Sequence, residues 1–402
     1  MKKFNPVICY LILLLSSSLY ANEKHLILAE GDTWLPMMPE NLIENHSKIE
    51  TLPFSGFVMV GNSYTNNVMK EGERVTYNNI WSEVKGLKGL YIEKNHNFMQ
   101  INIDFPGDFW NDEAWERVTN NFANVAQVAK DLNFKGIAFD DEPYSNSAMK
   151  MVNFKFPTKR EVSNHPNNYE TWEKDGSEDS WVDMKAYSNP NHTFQEHMGK
   201  VASRFKTIMQ AMASNYPNIT VMVYNGPSYA HSNTNREQLI LTDVGLAREH
   251  EYKGAIFSGF KQGDDENTTL CDMGESYKYR LEKHFQNAYQ WRKYDIAKDE
   301  FNDDLNNHYQ WKVPKEERNS WSNEVEVGFM VFNKGQESNY SEYDTRNRST
   351  LQDIKASLQK ALKYSDKYVI YYPQEQNWLL PNREYPLKKG WMEMMQEVNN
   401  NK

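Results

Sequence analysis

The sequence predicts an α/β chain folded as a (β/α)8 TIM-like barrel with polar insertions in its loops. Three observations lead there. Short apolar runs alternate with segments of helical periodicity along most of the chain, the pattern of a parallel sheet wrapped by helices. The runs end in acids, amides and rings, and such barrels keep their active sites at the C-terminal ends of their strands. No glycine-rich phosphate loop follows the first run, which weakens a nucleotide-binding version of the alternative, a doubly wound open sheet.

The elements follow in order. Lys2 and Lys3, the apolar stretch Val7 to Leu15, and the small residues Ser16 to Ser18 and Ala21 have the form of an export leader. Residues 1–21 are therefore read as a signal peptide and 22–402 as a single catalytic barrel domain, periplasmic or extracellular. The leader's apolar run falls short of the roughly 20 residues a membrane span needs, so no membrane insertion is expected after its removal. Gly56 to Gly61 and Phe98 to Ile103 read as strands. Trp115, Val118, Phe122, Val125, Ala126 and Ala129 then fall at helical spacing behind Asn111, a helix-capping residue. The next strand runs through Gly136-Ile137-Ala138-Phe139 into Asp140-Asp141-Glu142.

Residues 145–190 are polar and read as an insertion. Val201, Phe205, Ile208, Met209 and Met212 mark a helix, Ile219 to Tyr224 a strand, and Gly254-Ala255-Ile256-Phe257 another strand, followed by the acids Asp264, Asp265 and Glu266. Leu281, Phe285, Ala288 and Tyr289 continue a helix ahead of a second charged insertion near 295–324. Val325 to Phe332 is a strand, Leu351 to Leu362 a helix and Tyr368 to Tyr372 the last strand. Seven strands are visible in this way, and either His25 to Ala29 or Leu87 to Ile92 supplies the eighth.

Composition narrows the chemistry. The formal charge of −10 becomes −12 once Lys2 and Lys3 leave with the leader, which argues against nucleic acid as a partner. Of the two cysteines only Cys271 lies outside the leader, so no disulfide within the mature chain is possible and the fold must rest on its core. Aromatic residues make up 13% of the chain, more than packing alone asks for, and flat rings with polar tips suit carbohydrate faces. There is no His-Glu-x-x-His motif, no Cys/His cluster and no Gly-x-Ser-x-Gly elbow, so neither a metal nor a cofactor is expected.

The candidate site gathers at the strand ends. Asp140 and Glu142 lie two apart and, on an extended backbone, face one side. Paired carboxylates are the machinery of glycoside hydrolysis, one held protonated and one ionised. Glu142 is the expected general acid, Asp140 its neighbour able to hold or share its proton, and Glu275 the second carboxylate. Glu375 competes for that last role. Asp141 points to the opposite side and is expected to be mainly structural, while staying among the candidate substrate contacts. The others are Asp104, Trp110, Tyr144, Tyr224, Asn225, Tyr277, Glu375 and Trp378: acids and amides to bond hydroxyls, rings to stack on sugar faces. The expected partner is a poly- or oligosaccharide. The alternatives are a barrel that binds glycan without cleaving it, in polysaccharide export or capture, and a polysaccharide lyase with Tyr224 as base beside Lys334 or Arg280.

Two resemblances add to this. Gly136-Ile137-Ala138-Phe139-Asp140-Asp141-Glu142 resembles the Gly-(Ile/Leu)-Asp-(Ile/Leu)-Asp-x-Glu strand of glycoside hydrolase family 18, the chitinase-type barrels. That likeness implies an N-acetyl-assisting role for Asp140 and the acid role for Glu142, with Ala138 standing where that family has an aspartate. The wider pattern, Asn121-Phe122…Ala129-Lys130…Gly136-Ile137…Glu142-Pro143-Tyr144, Gly274-Glu275-Ser276-Tyr277-Lys278-Tyr279-Arg280 and Ala361-Leu362-Lys363-Tyr364-Ser365-Asp366-Lys367-Tyr368-Val369, resembles secreted bacterial glycoside-hydrolase-like TIM barrels. It implies a fold and a broad class without a substrate.

Overall fold

The computed structural model describes residues 23–29, 37–91, 93–142, 192, 194–227, 244–274, 279–299, 313–333, 350–373, 377–379, 387 and 389–400. Residues 1–21, read as an export leader, and the expected insertion at 145–190 lie outside them.

The strands are β1 (His25–Leu28), β2 (Gly56–Met59), β3 (Phe98–Asn102), β4 (Gly136–Asp140), β5 (Thr220–Val223), β6 (Thr269–Asp272), β7 (Val325–Val327), β8 (Phe329–Asn333) and β9 (Tyr368–Pro373). The helices are α1 (Pro39–Glu44), α2 (His46–Glu50), α3 (Tyr77–Val84), α4 (Asp112–Asp131), α5 (Phe194–Asn215), α6 (Val244–Gly263), α7 (Glu282–Lys293), α8 (Trp321–Glu324), α9 (Leu351–Tyr364) and α10 (Trp391–Asn400). Every strand pairing is parallel, in the order β7-β6-β5-β4-β3-β2-β1-β9-β8. The two ends of that order are consecutive in the chain, separated by Gly328 alone. They are therefore two halves of one stave, the first paired to β6 and the second to β9, and the sheet closes as an eight-stave (β/α)8 barrel.

Gly328 makes the closing bend. Its N–H donates to Asp272 O at 2.8 Å, while a Cβ there would meet Met273 Sδ at 2.5 Å and Tyr368 O at 2.9 Å. Closure gives two apolar regions. Ile27, Val58, Phe98, Ala138, Met222, Cys271, Met330 and Ile370 fill the lumen. Residues of opposite parity pack outward against the helices, as Ile137, Phe139, Val221 and Leu270 do. This inward–outward alternation decides which strand-end residues reach the barrel mouth.

The helices follow the periodicity. All six apolar residues expected on α4 are buried, and the Asn111 side chain caps its first turn by accepting from Ala114 N. α9 starts with a reciprocal Thr350–Asp353 capping box.

Two elements depart from expectation. Gly254-Ala255-Ile256-Phe257 is no strand: it lies within α6. Its apolar run reflects a helix buried on more than one face, since Tyr252, Ile256, Phe257 and Phe260 are wholly covered and Gly259 and Gly263 let α5 come close. A Cβ at those glycines would stand 2.7 Å from Phe205 Cβ and 2.8 Å from Met209 Cβ. A short apolar run cannot by itself separate a buried strand from a buried helix. The stave at this point is β6, four residues long, and Asp264, Asp265 and Glu266 precede it, at the end of the barrel opposite the mouth. The eighth strand is His25–Leu28; Lys85–Leu87 forms a 3-10 turn. The described part of the 295–324 insertion is also less polar in its packing than its composition suggests, since Val313 and Trp321 are wholly buried.

Candidate functional site

The C-terminal ends of β3, β4 and β5, with the loop after β2, hold the described part of the candidate site. Phe98 and Ala138 point into the lumen, so Gln100 and Asn102 on β3 and Asp140 on β4 do as well. Asn102 and Asp140 are register partners on adjacent strands. Tyr224, just past β5, belongs to the same inner cluster.

Asp140 ends its strand and turns the chain. Its Oδ1 accepts from the backbone N–H of Glu142 at 3.1 Å, an aspartate turn that fixes the start of the following loop. Glu142 is half-buried at that turn. Asp104 occupies the equivalent place after β3, half-buried, with Oδ1 accepting from Phe105 N at 2.7 Å. Three carboxylates from two neighbouring strands thus stand at one side of the mouth.

Beside them runs a chain of neutral polar groups. Tyr224 Oη donates to Gln100 Oε1 at 3.4 Å, Gln100 Nε2 to Asn102 Oδ1 at 2.8 Å, and Asn102 Nδ2 to Asn66 Oδ1 at 2.9 Å. Burial, reinforced by the Asp140 carboxylate and then Tyr372, holds the Tyr224 phenol well above its ordinary range. It is thereby kept as a neutral donor and is poorly suited to act as a base. Arg280 faces Asp353 on the outer helices, with its own carbonyl taken by Lys360. Arg280, one of the two cations named for a lyase, is thus held away from Tyr224.

Asp141 and Asn225 leave the set of substrate contacts. Asp141 is 0% exposed and points outward, its Oδ1 accepting from both Asn225 N and Asn225 Nδ2 at 2.9 Å. Burial raises its carboxyl, while Lys253 and the two Asn225 bonds pull the other way. The pair ties the ends of β4 and β5 together behind the mouth. Trp378 leaves the set as well: it is 1% exposed and packs edge-on to Phe54 and Tyr371 in the outer core. Trp110 is half-buried, one face covered by the His192 ring at 3.7 Å and 3°, its edge by His197 at 4.6 Å. Burial brings His197 down to about 4, so that imidazole is neutral at neutral pH and packs against Trp110. Tyr144, Glu275, Tyr277 and Glu375 lie outside the described residues, as does Lys334.

The sequence reading missed Gln100, Asn66 and the pair Asp272–Arg292. Gln100 carries a signal, since it lies two residues before Asn102 and so on the same strand face. Asn66 carries none beyond its place in a polar loop after a strand. Asp272 points outward from β6 into a buried ion pair with Arg292 of α7, at 2.9 Å, each side chain 2% exposed. Among the described residues no group of three or more His, Cys, Asp or Glu is arranged to hold a metal, and no helix is long and apolar enough to cross a membrane.

No family model matches the chain, and no curated protein matches it. Among solved structures, a catalytic module of the pneumococcal exo-β-D-N-acetylglucosaminidase is 11% identical, with a TM-score of 0.41 over 96% of this chain and 86% of that one. The β-mannanase of the blue mussel Mytilus edulis is 8% identical, with a TM-score of 0.43 over 94% and 92%. The 3-keto-D-glucoside 4-epimerase of E. coli is 12% identical, with a TM-score of 0.39 over 93% and 98%. Likenesses this distant assign no activity, and the barrel is established by its own closed ring of strands.

Proposed function

We propose that the protein is an exported glycoside hydrolase acting on a poly- or oligosaccharide, with Glu142 as its general acid. One observation carries the reading: Glu142 stands half-buried on a turn held by Asp140, at the C-terminal end of β4 in a closed barrel, with Asp104 and a chain of carboxamides at the end of the adjacent β3. In this reading Glu142 protonates the glycosidic oxygen as the bond to the anomeric carbon breaks. A second carboxylate either attacks that carbon or takes a proton from the attacking water. Asp140 and Glu275 are the candidates for it, with Glu375 competing. A separation of about 5–5.5 Å from Glu142 goes with retention, and roughly 6.5–9.5 Å with inversion. Asp140 already spends one oxygen on the Glu142 amide, which favours Glu275 or Glu375 over it as the partner.

The test is a panel of oligosaccharides with reducing-end detection, comparing wild type with Glu142→Gln. Cleavage of at least one glycan by wild type, falling by about a hundredfold or more in the variant, is the expected result. Full activity in the variant rejects the assignment of the acid. A glycan that binds wild type and is not cleaved leaves a binding barrel instead. Export rests on the leader-like segment Lys2 to Ala21. N-terminal sequencing of the protein from a periplasmic or culture fraction should find the chain starting near residue 22, and a retained Met1 would reject it.

A further inference from the structure

We propose that the chain Tyr224–Gln100–Asn102–Asn66 is a subsite for a neutral polyhydroxylated ligand, with Asn66 as its contact residue. The ligand's identity as a carbohydrate rests on the function proposed above; the subsite rests on the hydrogen-bond inventory. Each carboxamide offers two N–H donors and one oxygen. Along this chain every amide oxygen already accepts, from Tyr224, Gln100 and Asn102 in turn. Only two of the six amide N–H groups are spent inside the chain, so its surplus is donors.

The surplus ends at the surface. Gln100 is 8% and Asn102 4% exposed, whereas Asn66 is exposed on the loop after β2. That loop is clamped: Asn102 N donates to Thr65 O at 2.9 Å, and Gly61 N to Thr65 Oγ1 at 2.9 Å. Asn66 is therefore held by its oxygen, with its N–H groups left for solvent or ligand. Across one strand spacing stand Asp140 and Glu142, which are acceptors when ionised. A hydroxyl accepts and donates at once, so it can take an N–H from the amide side and give its proton to the carboxylate side. A uronate or sulfate ester would meet the carboxylates of Asp104, Asp140 and Glu142 and be repelled. Donors beside acids select neutral hydroxyls.

The test is calorimetric binding on a Glu142→Gln background, with cello-, manno-, xylo- and chito-oligosaccharides as neutral probes and oligogalacturonate as the anionic one. Asn66→Asp keeps the oxygen that accepts from Asn102 and removes the donors; being exposed, it leaves folding intact. It should weaken the best neutral probe by about tenfold, the loss of one good hydrogen bond. Asn62→Asp adds the same charge to the same loop outside the chain and should stay within about twofold. Unchanged affinity in Asn66→Asp, equal losses in both variants, or tighter binding of oligogalacturonate than of any neutral probe overturns the subsite. If wild type cleaves a glycan while Asn66→Asp binds normally, the subsite alone fails. If glycans bind and depend on Asn66 but are never cleaved, the subsite stands and the hydrolase reading fails. No binding of any probe overturns the subsite.

Discussion

Arg292→Met should be among the costliest single changes in the described barrel. The Arg292 guanidinium donates through Nε to Asp272 Oδ2 at 3.0 Å, through Nη1 to Gly328 O at 2.8 Å, and through Nη2 to the Asp272 carbonyl, with Oδ1 at 2.9 Å. It thus joins α7, the end of β6 and the bend that closes the barrel. Both side chains are 2% exposed. Truncating one partner leaves the Asp272 carboxylate buried without its counter-charge, which costs about 3–5 kcal/mol. Replacing both, as Asp272→Leu with Arg292→Met, removes the stranded charge and should recover most of that loss, because a buried ion pair and an apolar pair of similar volume are often near parity. Urea unfolding followed by tryptophan fluorescence measures this, and Trp321 is a local reporter, since its Nε1 donates to Arg292 O at 2.9 Å. A single-variant loss under about 1 kcal/mol, or a double variant as unstable as the two singles added, would refute the reasoning.

Two further outcomes follow from buried groups. Asn225→Ala removes one of the two bonds that Asn225 makes to the wholly buried Asp141, so stability should fall by about 1–3 kcal/mol; the proposed glycan cleavage should slow as the turn that carries Glu142 loosens. An unchanged unfolding curve would show that the link does not matter. Glu317 is 5% exposed; burial pushes it up to about 7 against an ordinary 4.5, while bonds from Gln262 and Ser258 pull it partway back. The folded state therefore binds the extra proton, so stability should decline by about 3 kcal/mol as pH climbs from about 4.5 to about 7, then level off. Glu317→Gln keeps an acceptor for Ser258 and Gln262 and should flatten that decline in melting curves taken across the range; an unaltered slope would place the titration elsewhere.

The helices and most of the strands could be read from the chain because their signals are local. The six apolar residues of α4 recur at 3.6-residue spacing, and β4 is an unbroken apolar run that stops at an acid. β6 could not be read this way. Thr269-Leu270-Cys271-Asp272 is four residues long and follows acids, while the helix before it carries a run as apolar as a strand. The bend at Gly328 left no local mark either, since one stave serving both ends of the sheet is a property of the closed ring.

The site divides along the same line. The sequence by itself determined the acid-ended strand, Asp140 through Glu142, and the opposite directions of Asp140 and Asp141, because alternation along a strand is a local rule. Only the tertiary structure decided what each residue meets. Parallel pairing of β3, β4 and β5 set Asn102 beside Asp140, drew Tyr224, Gln100 and Asn66 into one chain, and turned Asn225 back onto Asp141. Packing moved Trp378 into the core and laid His192 over Trp110. Those partners come from strands and loops far apart in the chain, and their meeting depends on strand register and barrel parity, which no single segment carries.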